Sequence, residues 1–154
     1  MSRTTRILAT AGIAALAIGA AGAIYVRTAA MPADDWHADP EIAQRTGKPN
    51  DFLVAPGGDA APVRFDEGVQ ALMLRLDAMA AARGAVRIAG TPQEGWATYV
   101  ERTPLVGYPD AISVKAVPDG NGARLMLWSR SRFGHSDLGA NEARVDDWLA
   151  ALGA

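Results

Sequence analysis

The feature that most constrains this chain is an uncharged run of twenty residues, Ile7–Val26, close to its N-terminus. As an α-helix with a rise of about 1.5 Å per residue, this run would be roughly 30 Å long, which matches the hydrocarbon core of a bilayer. Arg3 and Arg6 precede the run and Arg27 follows it. Because positive charge collects on the cytoplasmic side, we expect residues 1–27 to form a single-pass anchor with a cytoplasmic N-terminus.

A cleaved signal peptide has a similar layout, with basic residues before an apolar stretch and small residues after it. The run here exceeds the usual h-region of about 7–15 residues, which favours an anchor that stays uncleaved. Either interpretation exports the rest of the chain. We therefore predict a domain on the periplasmic, extracytoplasmic side of a membrane.

The charge of the remaining chain argues against nucleic-acid binding. Residues 28–154 contain twelve Lys or Arg and seventeen Asp or Glu, a net charge of about −5, whereas a nucleic-acid binder needs a basic face. The chain has no cysteine, which excludes disulfides, thiolate metal sites and a cysteine nucleophile. We expect no nucleic-acid partner and no cofactor.

Residues 28–63 are interrupted by proline and glycine too often for a long helix, so an irregular juxtamembrane segment is predicted. Two short elements are expected within it. Asp39 can cap a helical turn that has Pro40 at its first position. Residues 51–54 are predicted to form a short strand that ends before a Pro-Gly-Gly turn.

Residues 64–154 show the periodicity of a folded α+β domain. Apolar residues at three- and four-residue spacing predict a helix over 66–83, with Asp66 as its cap and Gly84 as its stop. A second helix is predicted over 140–152. Between them, strands are expected over 85–89, 96–103, 111–117 and 123–132.

The last two strands are predicted to form a hairpin because residues 118–122 are Pro-Asp-Gly-Asn-Gly. In the last strand, Leu125 and Leu127 share one face, whereas Trp128, Arg130 and Arg132 lie on the other. The fold class expected is therefore α+β, a mostly antiparallel sheet of about four to five strands packed by two helices and preceded by one transmembrane helix.

A dense polar motif follows that last strand, and there the chain resembles the uncharacterised bacterial family DUF1499. The matching residues are Ser129, Ser131, Arg132, Gly134, Asp137, Leu138, Gly139, Asn141 and Arg144. Residues 102–110 also resemble this family, and residues 35–40 and 48–51 are similar to a membrane-anchored branch of it. The resemblance covers about residues 35–152. Many members carry a Cys-Pro-x-Ser-Pro-Asn-Cys stretch that this chain lacks. The resemblance implies a fold and a membrane setting, and it implies no activity.

Several interpretations of the motif remain open. In a structural one, Ser136 or Asp137 caps the last helix, and Arg132 and Arg144 both clamp Asp137. In a second, the arginines form an anion or ligand site, whose candidate residues are Trp128, Arg130, Arg132, His135, Asp137, Asn141 and Arg144. Trp128 can then stack on a guanidinium.

Two catalytic interpretations are weaker. A serine nucleophile (Ser129, Ser131 or Ser136) would use His135 as its base and Asp137 as the orienting group, but a triad needs residues from separate elements. A metal site would have to join the two histidines, which are far apart in sequence and lack ligand spacing. We assign no catalytic or metal-ligating residue.

The functional hypothesis is a membrane-tethered envelope protein, a non-enzymatic module that binds an envelope protein or a small anionic or amphipathic ligand. Its membrane contact is expected through residues 7–26. The alternative is an envelope hydrolase or transferase that uses the region of Arg130, Arg132, His135 and Asp137.

Overall fold

The computed structural model of the protein describes residues 3–154, within which helices and strands make an α+β fold. The α-helices are α1 (Arg3–Thr28), α2 (Ala33–Trp36), α3 (Val69–Ala82) and α4 (Ala140–Ala151), with 3₁₀ turns at Pro40–Ile42 and Pro92–Glu94. The strands are β1 (Asp51–Val54), β2 (Val63–Phe65), β3 (Val86–Thr91), β4 (Trp96–Arg102), β5 (Pro109–Asp119) and β6 (Gly122–Ser131).

The strands form one antiparallel sheet in the order β1-β6-β5-β4-β3, and β2 also pairs with β6. The β5–β6 hairpin is confirmed, and its turn contains Gly120 at a φ of 60°. Strand β1 confirms the strand expected over 51–54. The sheet has six strands where four to five were predicted, because β2 was missed. Three residues directly after Pro62 are too few to show an alternating pattern.

Helices α3 and α4 cover one face of the sheet, which we call the helix face. Its core joins Leu72 and Leu76 of α3 and Trp148 of α4 to Ile112 and Leu127 of the sheet. The expected end of α3 is confirmed, with Gly84 at a φ of 80°.

The predicted cap of α3 is wrong. The N-cap is Gly68, which has no side chain to bond the first turn. Asp66 instead forms an ion pair with Arg64. The helix consequently begins at Val69, after the residue that was predicted to cap it.

The opposite face of the sheet, the outer face, is covered by the segment between α1 and β1, which we call the covering segment. Met126 and Trp128 of the outer face pack with Leu53, and Ala38 and Ala43 of the covering segment lie against them. This face therefore has a small apolar core of its own.

An ionic contact also holds the covering segment. Lys115 reaches Asp39 at 2.5 Å and Glu41 at 2.8 Å. Asp39 also accepts a hydrogen bond from the Glu41 backbone N–H, which confirms it as the cap of the turn that begins with Pro40.

Helix α1 exposes its apolar side chains, and among residues 3–154 it is the helix that is long and apolar enough to cross a membrane. Its last turn is attached to the domain. Arg102 donates to the carbonyl of Val26 at 3.2 Å and to that of Ala29 at 2.9 Å, and Arg27 donates to the carbonyl of Val106 at 3.1 Å.

Candidate functional site

The motif at the end of β6 divides between the two faces of the sheet, because successive side chains of a strand alternate. Ser129 and Ser131 lie on the helix face with Leu127. Trp128 and Arg130 lie on the outer face, where they contact the covering segment. The predicted candidate residues are therefore not brought into one site.

The helix-face half of the motif is a buried hydrogen-bond network. Ser129 Oγ donates to Asn141 Oδ1 at 2.6 Å, and Asn141 Nδ2 donates to Ser131 Oγ at 2.9 Å. Arg144 forms a salt bridge of 2.6 Å with Asp110. Asn141 is 0% exposed and Arg144 is 8% exposed. These side chains bind one another and connect α4 to the sheet.

Asp110 illustrates the electrostatics of that network. Burial raises the pKa of its carboxyl, while the Arg144 guanidinium and a hydrogen bond from Ser131 oppose that shift. A charged group taken out of water is tolerated where an opposite charge and hydrogen bonds meet it. The Arg144–Asp110 pair therefore has the character of a structural ion pair.

The N-cap position of α4 is Gly139, but Asp137 binds free backbone N–H groups at the start of the helix, as one part of the structural interpretation expected. Its carboxylate accepts hydrogen bonds from the backbone N–H of Gly139 at 3.1 Å and of Asn141 at 2.9 Å. Burial alone would raise the pKa of Asp137, but the hydrogen bonds from Asn141 and Gly139 lower it. A carboxylate at this position also suits the positive end of the helix dipole.

The predicted clamp of Arg132 and Arg144 on Asp137 is wrong. Arg144 is directed to Asp110, and Arg132, on the outer face, donates to Met31 Sδ at 3.9 Å. The two arginines come from opposite sides of the sheet, and backbone N–H groups already bind the Asp137 oxygens. A side-chain clamp therefore lacks the geometry, and the Asp137 carboxylate is bonded instead by Gly139 and Asn141.

His135 is exposed on the loop between β6 and α4. Within residues 3–154, no hydrogen bond joins it to Ser129, Ser131, Ser136 or Asp137, and Ser129 is buried against Asn141. The part of the chain that the structure describes also holds no group of three histidines or carboxylates placed to bind a metal. The motif thus brings together neither a nucleophile with a base nor a set of ligands.

The outer-face half of the motif opens into a cleft of about 310 Å³. Arg130, Arg132 and Trp128 form the wall that belongs to the sheet, while Trp36 and Lys48 come from the covering segment. We call these five residues the arginine cleft. Two carboxylates, Asp35 and Asp51, also line it.

Arg130 lies between two indole rings. Its guanidinium carbon is 4.0 Å from the centre of the Trp128 ring and 5.6 Å from that of Trp36. It donates to the carbonyl of Trp36 at 2.7 Å and to Ser113 Oγ at 2.8 Å, while its buried Nε has no partner within residues 3–154. Burial lowers the pKa of Arg130 to about 10, against the opposing effect of Asp51. The side chain therefore stays charged at neutral pH.

The three cations of the cleft lack carboxylate partners. Across residues 3–154, no Asp or Glu oxygen comes within 4 Å of the charged nitrogens of Lys48, Arg130 or Arg132. Asp51, one of the two carboxylates in the lining, is engaged by Arg45 at 2.8 Å and by Trp128 Nε1 at 2.7 Å. Positive charge is therefore left available in the cleft.

A polar chain that sequence reasoning missed continues from Arg130 across the outer face. Ser113, which accepts from Arg130, lies 3.0 Å from Thr98 Oγ1, and Thr98 lies 2.9 Å from His37 Nδ1. The His37 ring stacks on Trp96 at 3.9 Å with an interplanar angle of 19°. Strand alternation predicts that Thr98 and Ser113 lie on the outer face. It does not predict that His37, from a distant part of the chain, contacts them.

Comparison with known proteins adds one finding. The family described as "Protein of unknown function (DUF1499)" matches residues 37–152. No curated protein and no solved structure matches the chain. The match covers the sheet, both packing helices and most of the covering segment. The matched residues include those of the helix-face network, which are Ser129, Ser131, Asn141, Arg144 and Asp110, and also Asp137 at the start of α4. The chain belongs to the DUF1499 family.

Proposed function

We propose that this protein is a membrane-tethered, non-enzymatic binding module that holds a small anionic ligand in the arginine cleft. The observation that carries the proposal is the absence of a carboxylate partner for Lys48, Arg130 and Arg132 among residues 3–154. Arg130 and Arg132 are half-buried, and cations withdrawn from water are ordinarily paired, whereas Lys48 is exposed and adds positive charge to the lining of the cleft. A ligand anion would supply the missing partner.

The chemistry of the cleft selects among anions. Two guanidinium groups present planar, forked donors that suit carboxylates and phosphates. Arg130 is already oriented by Trp36, Trp128 and Ser113, so little side-chain freedom is lost when it binds. The indole rings offer an apolar surface beside the charge, which favours a ligand that has both an anionic and an apolar part.

The tether is proposed from α1. The helix is long and apolar enough to cross a membrane, and Arg3 and Arg6 before the span outnumber Arg27 after it. We place the N-terminus in the cytoplasm and the domain outside it. Alkaline phosphatase fused after Ala154 in a bacterial host tests this placement, since that enzyme is active only after export, and an inactive, membrane-bound fusion would reverse it.

The binding test uses the full chain in detergent micelles, with pyrophosphate and succinate as probes. Trp36 and Trp128 border the cleft, so their fluorescence reports occupancy. We expect saturable binding of at least one probe, and Arg132→Gln should weaken that binding by about tenfold or more, since a charge-assisted hydrogen bond contributes about 1.5–3 kcal/mol. Arg132 is the residue of choice because Arg130 is also part of the packing.

The matched control is Arg124→Gln. Arg124 lies on the outer face of the same strand, near its other end, and does not line the cleft. This variant should bind the probes as the unchanged protein does. Saturable binding that is equal in the Arg132 and Arg124 variants would show that the cleft is not the site, and no saturable change with either probe would overturn the proposal.

A further inference from the structure

Apolar and aromatic side chains that the domain leaves partly or wholly exposed surround the end of α1. They come from the last turns of α1, from the β4–β5 loop and from the loop before α4. We call this group the membrane rim, and it consists of Tyr25, Leu105, Tyr108, Phe133 and Leu138. Leu105 is 87% exposed and Leu138 is 96% exposed. A single exposed leucine is ordinary, but a group of apolar residues on one surface marks an interaction site.

Ring contacts show that the rim is continuous with α1. Tyr25 meets Phe133 edge-on with ring centres 5.9 Å apart, and Phe133 meets Tyr108 in the same way at 6.1 Å. These three rings and Leu138 line a groove of about 460 Å³. The rim thus surrounds the point where the apolar stretch of α1 ends.

The β4–β5 loop is shaped around the end of the helix. Arg27 donates to the carbonyls of Leu105 and Val106. Gly107, at a φ of 82°, lies so close that a Cβ there would be 2.7 Å from Arg27 Cγ. Leu105 is therefore held beside the last turn of α1.

The last carbonyls of α1 are also satisfied by protein. A helix end leaves its final C=O groups without helical partners. Arg102 donates to the carbonyls of Val26 and Ala29, and it donates to that of Gly107 at 3.2 Å. Backbone groups paired in this way can enter a region that is poor in water without a large cost.

We propose that the membrane rim inserts into the interfacial layer of the bilayer that α1 crosses, on the side of the domain. The proposal rests on the tether proposed above. With α1 spanning the bilayer, its last turn lies where hydrocarbon gives way to head groups. The residues of the rim lie around that turn, through the Leu105 carbonyl, the Phe133 ring and the groove that Leu138 lines, and we place them near the same depth. Tyrosine is favoured at that depth. Leu105 and Leu138 then bury apolar surface in lipid that the domain leaves open to water.

The lipid is preferred over a protein partner as the occupant because the rim surrounds the exit of α1. Beside a helix that crosses the bilayer, a partner protein would have to compete with lipid head groups for this surface. The rim also holds the domain in one orientation on the membrane, with α1 and two separate loops as its three points of contact.

The test uses the full chain, which has no cysteine, so that single cysteines can be introduced and labelled with the environment-sensitive fluorophore NBD. Leu105→Cys and Leu138→Cys probe the rim, and Ala15→Cys probes the middle of α1. Asn121→Cys, in the hairpin turn at the other end of β5, is the matched exposed control. Each protein is reconstituted into vesicles of phosphatidylcholine and phosphatidylglycerol, with and without nitroxide-labelled lipid.

We expect blue-shifted emission and nitroxide quenching at positions 15, 105 and 138, and neither effect at position 121. Quenching at 15 without quenching at 105 and 138 would overturn the rim while leaving the tether intact. The absence of quenching at 15 would overturn the tether and the rim together. Equal quenching at 105, 138 and 121 would show a domain that lies on the lipid without preference for the rim, which also overturns the proposal.

Discussion

At the scale of single residues, Arg144 shows how a motif residue can be charged and still belong to the core. It is 8% exposed, pairs with Asp110 at 2.6 Å and donates to Ser129 and Asn141. A buried charge is tolerated because its partners compensate it. If one member of such a pair is removed, the opposite charge remains buried without compensation. Arg144 therefore matters for stability rather than for ligand contact.

Arg144→Met should lower the free energy of unfolding by about 3–5 kcal/mol, because Asp110 is left buried without its cation. Urea unfolding followed by tryptophan fluorescence measures the loss. The double variant Arg144→Met with Asp110→Leu should recover part of it, since no charge from this pair then remains in the core. A single-variant loss below about 1 kcal/mol would contradict the structural role.

We expect His37 to make the stability of the fold depend on pH. Its pKa lies below the ordinary value of 6.5, chiefly because burial disfavours the charged ring; Glu94 and Asp39 oppose that shift and Arg130 adds to it. The unfolded chain consequently binds the proton more tightly than the folded protein. The contribution to stability is complete above pH 6.5 and is lost as the pH falls through the lower, folded pKa.

We expect His37→Gln to flatten the decrease of unfolding free energy between about pH 7 and about pH 5, the range in which a histidine titrates. Urea unfolding at a series of pH values measures this slope. His135→Gln is the control, because His135 is exposed and should leave the slope unchanged. A slope that is the same for the His37 variant and the unchanged protein would show that His37 does not carry the effect.

At the scale of elements, the sequence correctly predicted the structures that depend on residues close together in the chain. The apolar stripe of α3, the Asp-Gly-Asn-Gly turn of the hairpin and the Asp39–Pro40 cap each depend on residues a few positions apart. Strand β2 was missed because three residues carry too little pattern. The Asp66 cap was wrong because a glycine can occupy an N-cap without any side-chain bond, as Gly68 does, and a nearby aspartate then has no role in the first turn.

The sequence predicted only one of the two walls of the candidate site. Strand alternation correctly placed Trp128, Arg130 and Arg132 on one face. Their facing wall, Trp36 and Lys48, comes from a segment at least 80 residues earlier in the chain, and no local pattern reports such a contact. The same limit explains why the partner of Arg144 was not predicted, since that partner belongs to a different strand.

The loop before α4 contains a strained residue, Leu138, at a φ of 55°. A residue with a Cβ in the left-handed region costs about 1–2 kcal/mol relative to its usual conformations. Leu138→Gly should therefore raise the free energy of unfolding in detergent-free buffer by about 1 kcal/mol, measured by urea unfolding of a chain that lacks α1. Leu138→Ala keeps the strain and removes the same apolar side chain, so it should give no gain; equal effects of the two variants would argue against strain.

At the scale of the whole molecule, the covering segment makes the sheet a three-layer structure, with helices on one face and an irregular chain on the other. Within residues 3–154, Met126 and Trp128 are covered on the outer face by this segment and by β1. The sequence pattern placed a domain boundary after residue 63. In the structure, β1 and the covering segment, which precede that boundary, pack with the sheet as part of one unit.

A chain that begins at Pro49 should be less stable than one that begins at Thr28 by at least about 3 kcal/mol, because two large apolar side chains become exposed. Both lack α1, so the comparison isolates residues 28–48. Thermal unfolding followed by circular dichroism, with light scattering for aggregation, measures the difference. Equal melting temperatures would show that the covering segment adds nothing to the fold.

The junction between α1 and the domain contains no flexible linker. The helix ends at Thr28, and the carbonyl of the next residue, Ala29, is already held by Arg102. For a protein anchored through α1, the domain consequently extends into the surrounding solvent only by its own diameter of roughly 35 Å. In a protein anchored in this way, the arginine cleft would sample only the layer of solution next to the bilayer. A soluble anion would have to enter that layer from the bulk solution, whereas a membrane-resident ligand would reach the cleft by lateral diffusion in two dimensions.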